Sequence, residues 1–351
     1  MASSSGTFNF QSIEVELIIR EAFERIGILG ELTEPQKLES AKRSIDFMLL
    51  EWMNRGVHFW TIQNAFLPLI AGQREYVLPV TVSDILQVSL RTSTRVLGGT
   101  AESSQGGAAI NAFDGNPTTA CEQTAASGNI SYDYGLDATR QINFVGIQSN
   151  VTRSYSLVVE SSIDNVNWTT LYTIPTQEFT AGVNKWFDIP VSIYARAYRI
   201  RETGNATLNI QEIYFCNNIT DNGISEITRY DYFGYSNKHT LGRPSAYYLN
   251  RGMTPVLGLW PAPSAQYNCL QFAYKQMIED VGVLYTNTVQ VPSRFYPALV
   301  AGLTYNLAIK YNPQAAAMFK SDYMESFELA QLEESTHLPI YVGGEYGGGY
   351  Y

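Results

Sequence analysis

Apolar residues recur at helical spacing near both ends of this chain and at strand spacing through its middle, so the pattern predicts helices flanking a β-rich interior. Ile13, Leu17, Ala22 and Ile26, with Val15, Ile18 and Ile19 alongside, place a first helix from about Ser12 to Ile26, and Gly27 is positioned to end it. Thr33, Glu34, Pro35 and Gln36 form a capping-box pattern. Leu38, Ala41, Ile45, Met48, Leu49 and Trp52 follow it in a second helix that ends near Gly56. The two are expected to pair as an antiparallel helical hairpin.

From Val57 the period shortens. Phe59, Trp60 and Ile62, then 66–70, 76–79 and 85–90, predict short strands; 224–232 resumes the same mixed style, and 269–274 alternates strictly. Beyond Pro292, Leu299, Val300, Leu303, Leu307 and Tyr311 make one helical stripe, and Phe319, Tyr323, Phe327 and Ala330 make the next. Between the two parts, 95–217 reads as a self-contained β module: runs such as 155–160 and 198–201 alternate and are broken by Gly, Asn and Pro turns, which predicts an antiparallel sandwich. The fold class expected is therefore multidomain α+β. A mainly helical domain with short strands occupies 1–92 and 220–335, an antiparallel β-sandwich of jelly-roll type interrupts it at 95–217, and a Gly/Tyr-rich C-terminal arm occupies 336–351. Residues 341–351 are too glycine-rich to build a core and suit either an arm that orders against a neighbouring subunit or an inert tail. The insert should leave and re-enter the scaffold on neighbouring strands, as an insertion into a loop does.

Composition narrows the function. With 351 residues, 45% apolar and 16% charged, the chain has material for two or three ordered domains, and its 24 tyrosines favour interfaces. A formal charge of −10 argues against gripping nucleic acid, although a weakly repelling wall would let DNA slide past. The insert holds seven Lys and Arg against eleven Asp and Glu, a balance of −4 that does not suit anionic lipid. Three cysteines, Cys121, Cys216 and Cys269, are read as reduced thiols of a protein made in a cytoplasm, even though Cys121 and Cys216 could meet near the ends of the insert. No signal-peptide pattern and no apolar run long enough to span a membrane is present in the sequence.

Chemistry-bearing motifs are sparse. There is no nucleophile elbow, phosphate loop or dinucleotide fingerprint. His58, His239 and His337 lack metal spacing, and the acidic pairs Glu21 with Glu24 and Glu333 with Glu334 are expected on solvated helix faces.

The split scaffold resembles the head-to-tail adaptors, or tail accessory factors, of short-tailed bacteriophages. The matching pieces run in order from 18–29 and Thr33-Glu34-Pro35 through Trp60 and 72–79 to Arg229-Tyr230-Asp231-Tyr232, Gly242-Arg243-Pro244, 259–263 and 291–300. The resemblance implies a homo-oligomeric, dodecameric ring in the virion neck, made in the bacterial host cytoplasm. Such a ring docks on the portal protein, continues the DNA channel without specific DNA binding, and offers a platform to tail nozzle or fibre proteins. No membrane partner and no catalytic role are implied. Some adaptors of this type are associated with wall degradation, so the alternative is a carbohydrate-binding protein or peptidoglycan hydrolase with accessory helices.

The insert is similar to the discoidin, or coagulation-factor type C, domain, a galactose-binding-like sandwich also used as a carbohydrate-binding module. The similarity rests on 111–119, 130–135, 142–147, 161–168, 186–189, 195–201 and 210–213. It implies a structural calcium held by Asp114, Asn116, Thr119 and Glu212 with loop carbonyls, against the plainer alternative that Asp114-Gly115 is only a turn. It also implies buried positions for Trp168 and Trp186, and its usual tryptophan is replaced here by Cys121. No cofactor is required. No sugar platform can be named from the sequence.

Overall fold

The computed structural model describes residues 13–28, 34–57, 59–191, 193–264 and 268–335, with the side chains at 59 and 333–335 excepted. The expected helix start at Ser12, the capping box at Thr33, His58, His337, the carboxylates of Glu333 and Glu334, and the C-terminal arm lie outside these. In chain order the elements begin with helices Val15–Arg25 (α1) and Pro35–Asn54 (α2) and strands Ile62–Pro68 (β1), Glu75–Val77 (β2), Val82–Arg95 (β3), Thr100–Ser103 (β4), Cys121–Ala126 (β5) and Asn129–Asp133 (β6). Arg140–Gln141 (β7), Phe144–Ser149 (β8), Arg153–Ser162 (β9), Thr169–Phe179 (β10), Asn184–Asp188 (β11), Tyr194–Ala195 (β12), Ala197–Glu202 (β13) and Thr207–Gly223 (β14) follow. The chain continues through Ser225–Glu226 (β15), Arg229–Gly234 (α3), Leu241–Gly242 (β16), Ala246–Asn250 (β17), Val256–Trp260 (β18), Ala262–Pro263 (β19) and Cys269–Gln276 (β20) to Tyr296–Tyr311 (α4) and Ala316–Ser335 (α5).

Two compact units result, one from Met1–Ile62 with Lys275–Tyr351 and the other Gln63–Tyr274. In the first, α4 is apolar nearly all round and is buried on successive turns at Leu299, Leu303 and Leu307, so it forms the centre. Here the expected hairpin is corrected: α1 and α2 each pack on α4 more than on one another. Ten buried positions on α4 leave it only a few exposed ones, such as Pro297, Ile309 and Lys310, and the neighbouring helices must cover the rest. Trp52, fully buried, donates from Nε1 to Tyr323 Oη at 2.8 Å and packs its ring between Phe295 and Phe327. A Cβ on Gly302 would come within 2.4 Å of Met48 Sδ and 2.8 Å of the Tyr323 ring, so the helices meet there only because that position lacks a side chain. Gly302→Val is expected to lower the stability of this unit by about 2 kcal/mol through overpacking, read as an earlier midpoint in urea.

The second unit is built on a seven-stranded sheet of order β1-β20-β3-β14-β8-β11, with β5 also paired to β14. Strands β3 and β14, 14 and 17 residues long, reach about 45 and 55 Å. Cys216 pairs with both Arg95 and Phe144, and Ile210 with both Cys121 and Ser149, so β3 and β5 succeed one another along one edge of β14 while β8 holds the other. The near half of this sheet covers Val82, Ile85, Val88 and Leu90 against Tyr247, Leu257 and Leu259 of the four-stranded sheet β15-β17-β18-β2. Its far half faces the five-stranded antiparallel sheet β10-β9-β13-β6-β4. Between them lie Val145, Ile147, Tyr155, Leu157, Val159, Ile200, Ile213 and Phe215, the core of an antiparallel β-sandwich.

The module is therefore continuous with the sheet that carries it. Arg91, whose side chain is 6% exposed, joins the two halves on the outer side of the sheet. It donates to both oxygens of Asp221 at 2.7 and 2.6 Å, to Gln271 at 2.7 Å and to Asp188, and its guanidinium lies 5.0 Å from the ring centres of Phe66 and Phe144. All three cysteines are free and buried. Cys216 shares a small apolar cluster with Cys269, whereas Cys121 lies in the sandwich core.

Candidate functional site: the Asp114 loop and the end of the sandwich

The loop after β4 starts with a single 3-10 turn, Ala109–Ala112, and reverses at Gly115, where φ is +76°. Asp114 holds the reversal from inside. Its Oδ1 accepts the Asn116 amide at 2.8 Å and its Oδ2 accepts the Thr119 hydroxyl at 2.8 Å, and the Asn116 carbonyl, 2.9 Å from Thr119 Oγ1, is the other acceptor for that single proton. The side-chain oxygen of Asn116 turns the other way, to Thr118, so Asn116 can face the loop centre only through its carbonyl.

Glu212 comes to this loop because of a register shift in β14. The bulge between Ile210 and Glu212 sends Leu208, Ile210, Ile213 and Phe215 to the core and Glu212, Tyr214 and Cys216 to the opposite face. There Glu212 is fully buried. Its Oε2 accepts from Arg95 Nη2 at 2.7 Å, and the same nitrogen donates to the Ile213 carbonyl at 2.9 Å. The Arg95 guanidinium also lies 4.5 Å from the centre of the Tyr214 ring.

Glu212 Oε1, in contrast, is buried without a donor, and the Asp114 carboxyl is within hydrogen-bonding reach of Glu212. Two ionised carboxylates are both acceptors, so a direct contact between them needs a shared proton or a cation. Burial pushes the Glu212 carboxyl up, against the pull of Arg95. For Asp114, burial also works upward, but the Asn116 amide, the Thr119 hydroxyl and the Arg95 charge outweigh it and hold that group below the usual carboxylate range.

The four residues singled out in the sequence thus lie together, and the donor set fits a hard cation. Among the described residues no three His, Cys, Asp or Glu side chains gather, so the remaining ligands would have to be hydroxyl and carbonyl oxygens. That set suits calcium rather than zinc. Asp114, Glu212, Thr119 and the Asn116 carbonyl would hold it, and it would supply charge neutralisation and cross-link the loop to β14. Arg95 would aim Glu212 from behind. Arg95 is the residue that sequence reading missed: an arginine ending an alternating strand carries no signal until β14 is known to lie beside it.

The end of the sandwich nearest the through-strands is also rigid. Asp133 accepts two bonds from Arg196, at 2.8 and 2.5 Å, and one from Asn165 at 3.2 Å. Asp164 accepts the Asn167 side-chain amide at 2.7 Å and the backbone amides of Asn167 and Val166 at 2.7 and 2.9 Å, and these bonds hold its carboxyl far below the ordinary range. Three loops are tied together in this way. They present Leu136, Ile163, Val166 and Tyr194, the last 66% exposed and the one aromatic of the module classed as exposed among the described residues. Trp186 is buried as expected, stacked on Phe144 with centroids 4.9 Å apart. Trp168 corrects the expectation: it is half-buried, outside the core, with the Arg199 guanidinium 4.2 Å from its ring centre. Arg199 and Arg201 converge on buried Glu160, so the Trp168 ring lies against an arm of an ion-pair cluster.

The helical unit also brings a serine and a lysine together. Lys310 Nζ lies 2.7 Å from Ser44 Oγ, but the lysine donates there, and the 5% exposed hydroxyl donates to the Ser40 carbonyl. That serine is sealed and committed.

Comparison with known proteins places the module. The F5/8 type C domain family matches residues 93–214. Similar solved structures include chitosan-binding module 1 from a chitosanase/glucanase of Paenibacillus sp. IK-5, 24% identical, covering 34% of this chain and 94% of that one with a TM-score of 0.29. The family 32 carbohydrate-binding module of C. perfringens NanJ, solved with galactose, is 19% identical and covers 36% of this chain and all (100%) of that one with a TM-score of 0.31. Module 2 of the Paenibacillus enzyme, solved with chitotriose, is 21% identical over 33% of this chain and 95% of that one, with a TM-score of 0.29. No curated protein matches the chain. The family match and the sandwich agree on a discoidin-like domain in the middle of the chain.

Proposed function

We propose that this chain is a structural binding protein in which a scaffold presents a glycan-binding sandwich. The observation that carries this is the pair of through-strands β3 and β14, which belong at once to the supporting sheet and to the F5/8 type C domain. A module so joined is held at a set angle to the sheet that carries it, which suits display. The exposed Tyr194 on the rigid loop end offers an aromatic face to a sugar ring, with Asn165, Asp164 and Arg140 in the tied loops around it. Calorimetric titration of the whole chain with galactose and with chitotriose tests this. Binding of either, weakened about tenfold or more by Tyr194→Ala, is the expected result. No heat with either sugar, and none with a broader glycan array, would remove the glycan assignment.

For the scaffold, we propose the adaptor-ring role. It is supported by the ordered sequence motifs quoted above and by the gathering of α1 and α2 with α4 and α5 into one helical unit. Negative-stain imaging of the chain mixed with purified portal rings is the direct test; a chain that never decorates portals contradicts this role. Release of soluble fragments from purified peptidoglycan, lost on a single carboxylate change, would instead establish the hydrolase alternative.

A further inference from the structure

Two exposed features of this chain have opposite shape and opposite charge. The first is a projection in the second unit. Helix α3 is short but fastened at both ends: Thr228 and Asp231 close a capping box, and Lys238 Nζ donates to the Phe233 and Tyr235 carbonyls at 3.2 and 3.1 Å. Tyr232, 1% exposed, anchors its inner face against Tyr248, with ring centroids 4.2 Å apart. With that face fixed, α3 turns Tyr230 (91% exposed) and Phe233 (57% exposed) to solvent. Arg229 and Lys238 stand 5.5 and 5.6 Å from the Phe233 ring centre, so the projection is aromatic at its tip and cationic at its sides.

The second feature is a cleft of about 260 Å³ in the helical unit. Buried Leu49 and Ile278, with Leu50, Met53 and the exposed Met277, make it apolar, and the acidic residues Asp46, Glu279 and Asp280 line it as well, Asp46 and Asp280 each accepting one backbone amide, from Val281 and Gly282. Lys42, one turn earlier on α2, does not neutralise that rim: it donates to the Val283 carbonyl at 2.5 Å and lies 4.5 Å from the Tyr285 ring centre.

We propose that α3 of one copy of this chain docks in the acid-lined cleft of a second copy. An exposed aromatic pair beside two cations has the composition of an interface hot spot, and an apolar cleft with three carboxylates is its complement in shape and sign. Because the projection and the cleft are different surfaces of one chain, the contact is heterologous, and each added copy leaves one of each free. Successive copies then close into a ring or extend as a filament, as the angle between them dictates. The proposal rests on the ring role above, for which it names the contact.

Sedimentation velocity of the full chain over a range of concentrations tests it. Wild type is expected to self-associate. Tyr230→Ala with Phe233→Ala, and separately Glu279→Lys with Asp280→Lys, should each weaken association by at least about tenfold while leaving the melting temperature unchanged. Mixing the two variants is the sharper measurement. One retains a good cleft and the other a good projection, so the mixture should form one-to-one dimers and nothing larger. A wild-type chain that stays monomeric at its highest soluble concentration overturns the contact, as does assembly undiminished in both variants. The latter result leaves the ring role standing on some other surface. Should the aromatic variant fold poorly, the cleft variant decides alone.

Discussion

Arg91→Ala is expected to destabilise the second unit by about 3 kcal/mol, the largest single-residue effect in this molecule apart from core truncations. The wild-type guanidinium is nearly sealed from water, so burial opposes its charge, but Asp221 and Asp188 more than offset this and raise its pKa. Removing it leaves two carboxylates side by side, opens a void against the edge-to-face pair of Phe66 and Phe144, and strips Gln271 of its donor. Asp188 and Asp221 are 47% and 35% exposed, so water takes over part of their solvation, which keeps the effect below the upper end known for broken buried pairs. Urea denaturation followed by tryptophan fluorescence reads the change. Arg91→Met, which refills the space against these rings, should recover part of the loss. Equal losses for alanine and methionine would show that charge pairing dominates over the stacked packing.

Calcium is expected to raise the melting temperature of the chain, and chelator to lower it, with the whole difference abolished by Glu212→Gln. At a calcium concentration of about a hundred times the dissociation constant the stabilisation is about 2.7 kcal/mol. The pH dependence follows from the shifts at the loop. In the metal-free protein Glu212 is pushed up, so the folded state holds a proton there more tightly than the unfolded chain does, and metal-free stability gains as pH falls through the raised folded value. Calcium needs that carboxyl ionised and expels the proton. Its stabilising effect is therefore full above the raised Glu212 value and fades as pH falls through it. Arg95→Met tests the supporting arginine: calcium affinity should drop about tenfold or more, since Glu212 would lose the bond that aims it. Melting curves identical with calcium and with chelator at neutral pH, together with no metal by elemental analysis, would rule the site out.

Much of the fold was legible in the sequence because its signals are local. The stripes of α2, α4 and α5 are written at spacings of three and four, and Ala41, Ile45, Met48, Leu49 and Trp52 are buried as that spacing requires. The alternation of Tyr155, Leu157 and Val159 likewise placed those side chains inside the sandwich. The Asp-Gly loop was visible for the same reason, since a turn that needs φ above zero at Gly115 names its own residue.

What only the tertiary structure decided are the relations between segments far apart in the chain. Periodicity shows that α1 and α2 each have an apolar face but not which partner covers it, and α4, some 250 residues later, took the place of the expected mutual hairpin. A bulge in β14 changed which side chains share a face, and so put Glu212 beside Asp114 and Arg95 behind it. Trp168 lies outside the core with its ring against Arg199, which the pairing of β13 with β9 sets opposite Glu160. Local spacing sets which face of an element is apolar; the free energy of burying that face is shared among all elements at once, and only the assembled packing selects its partner.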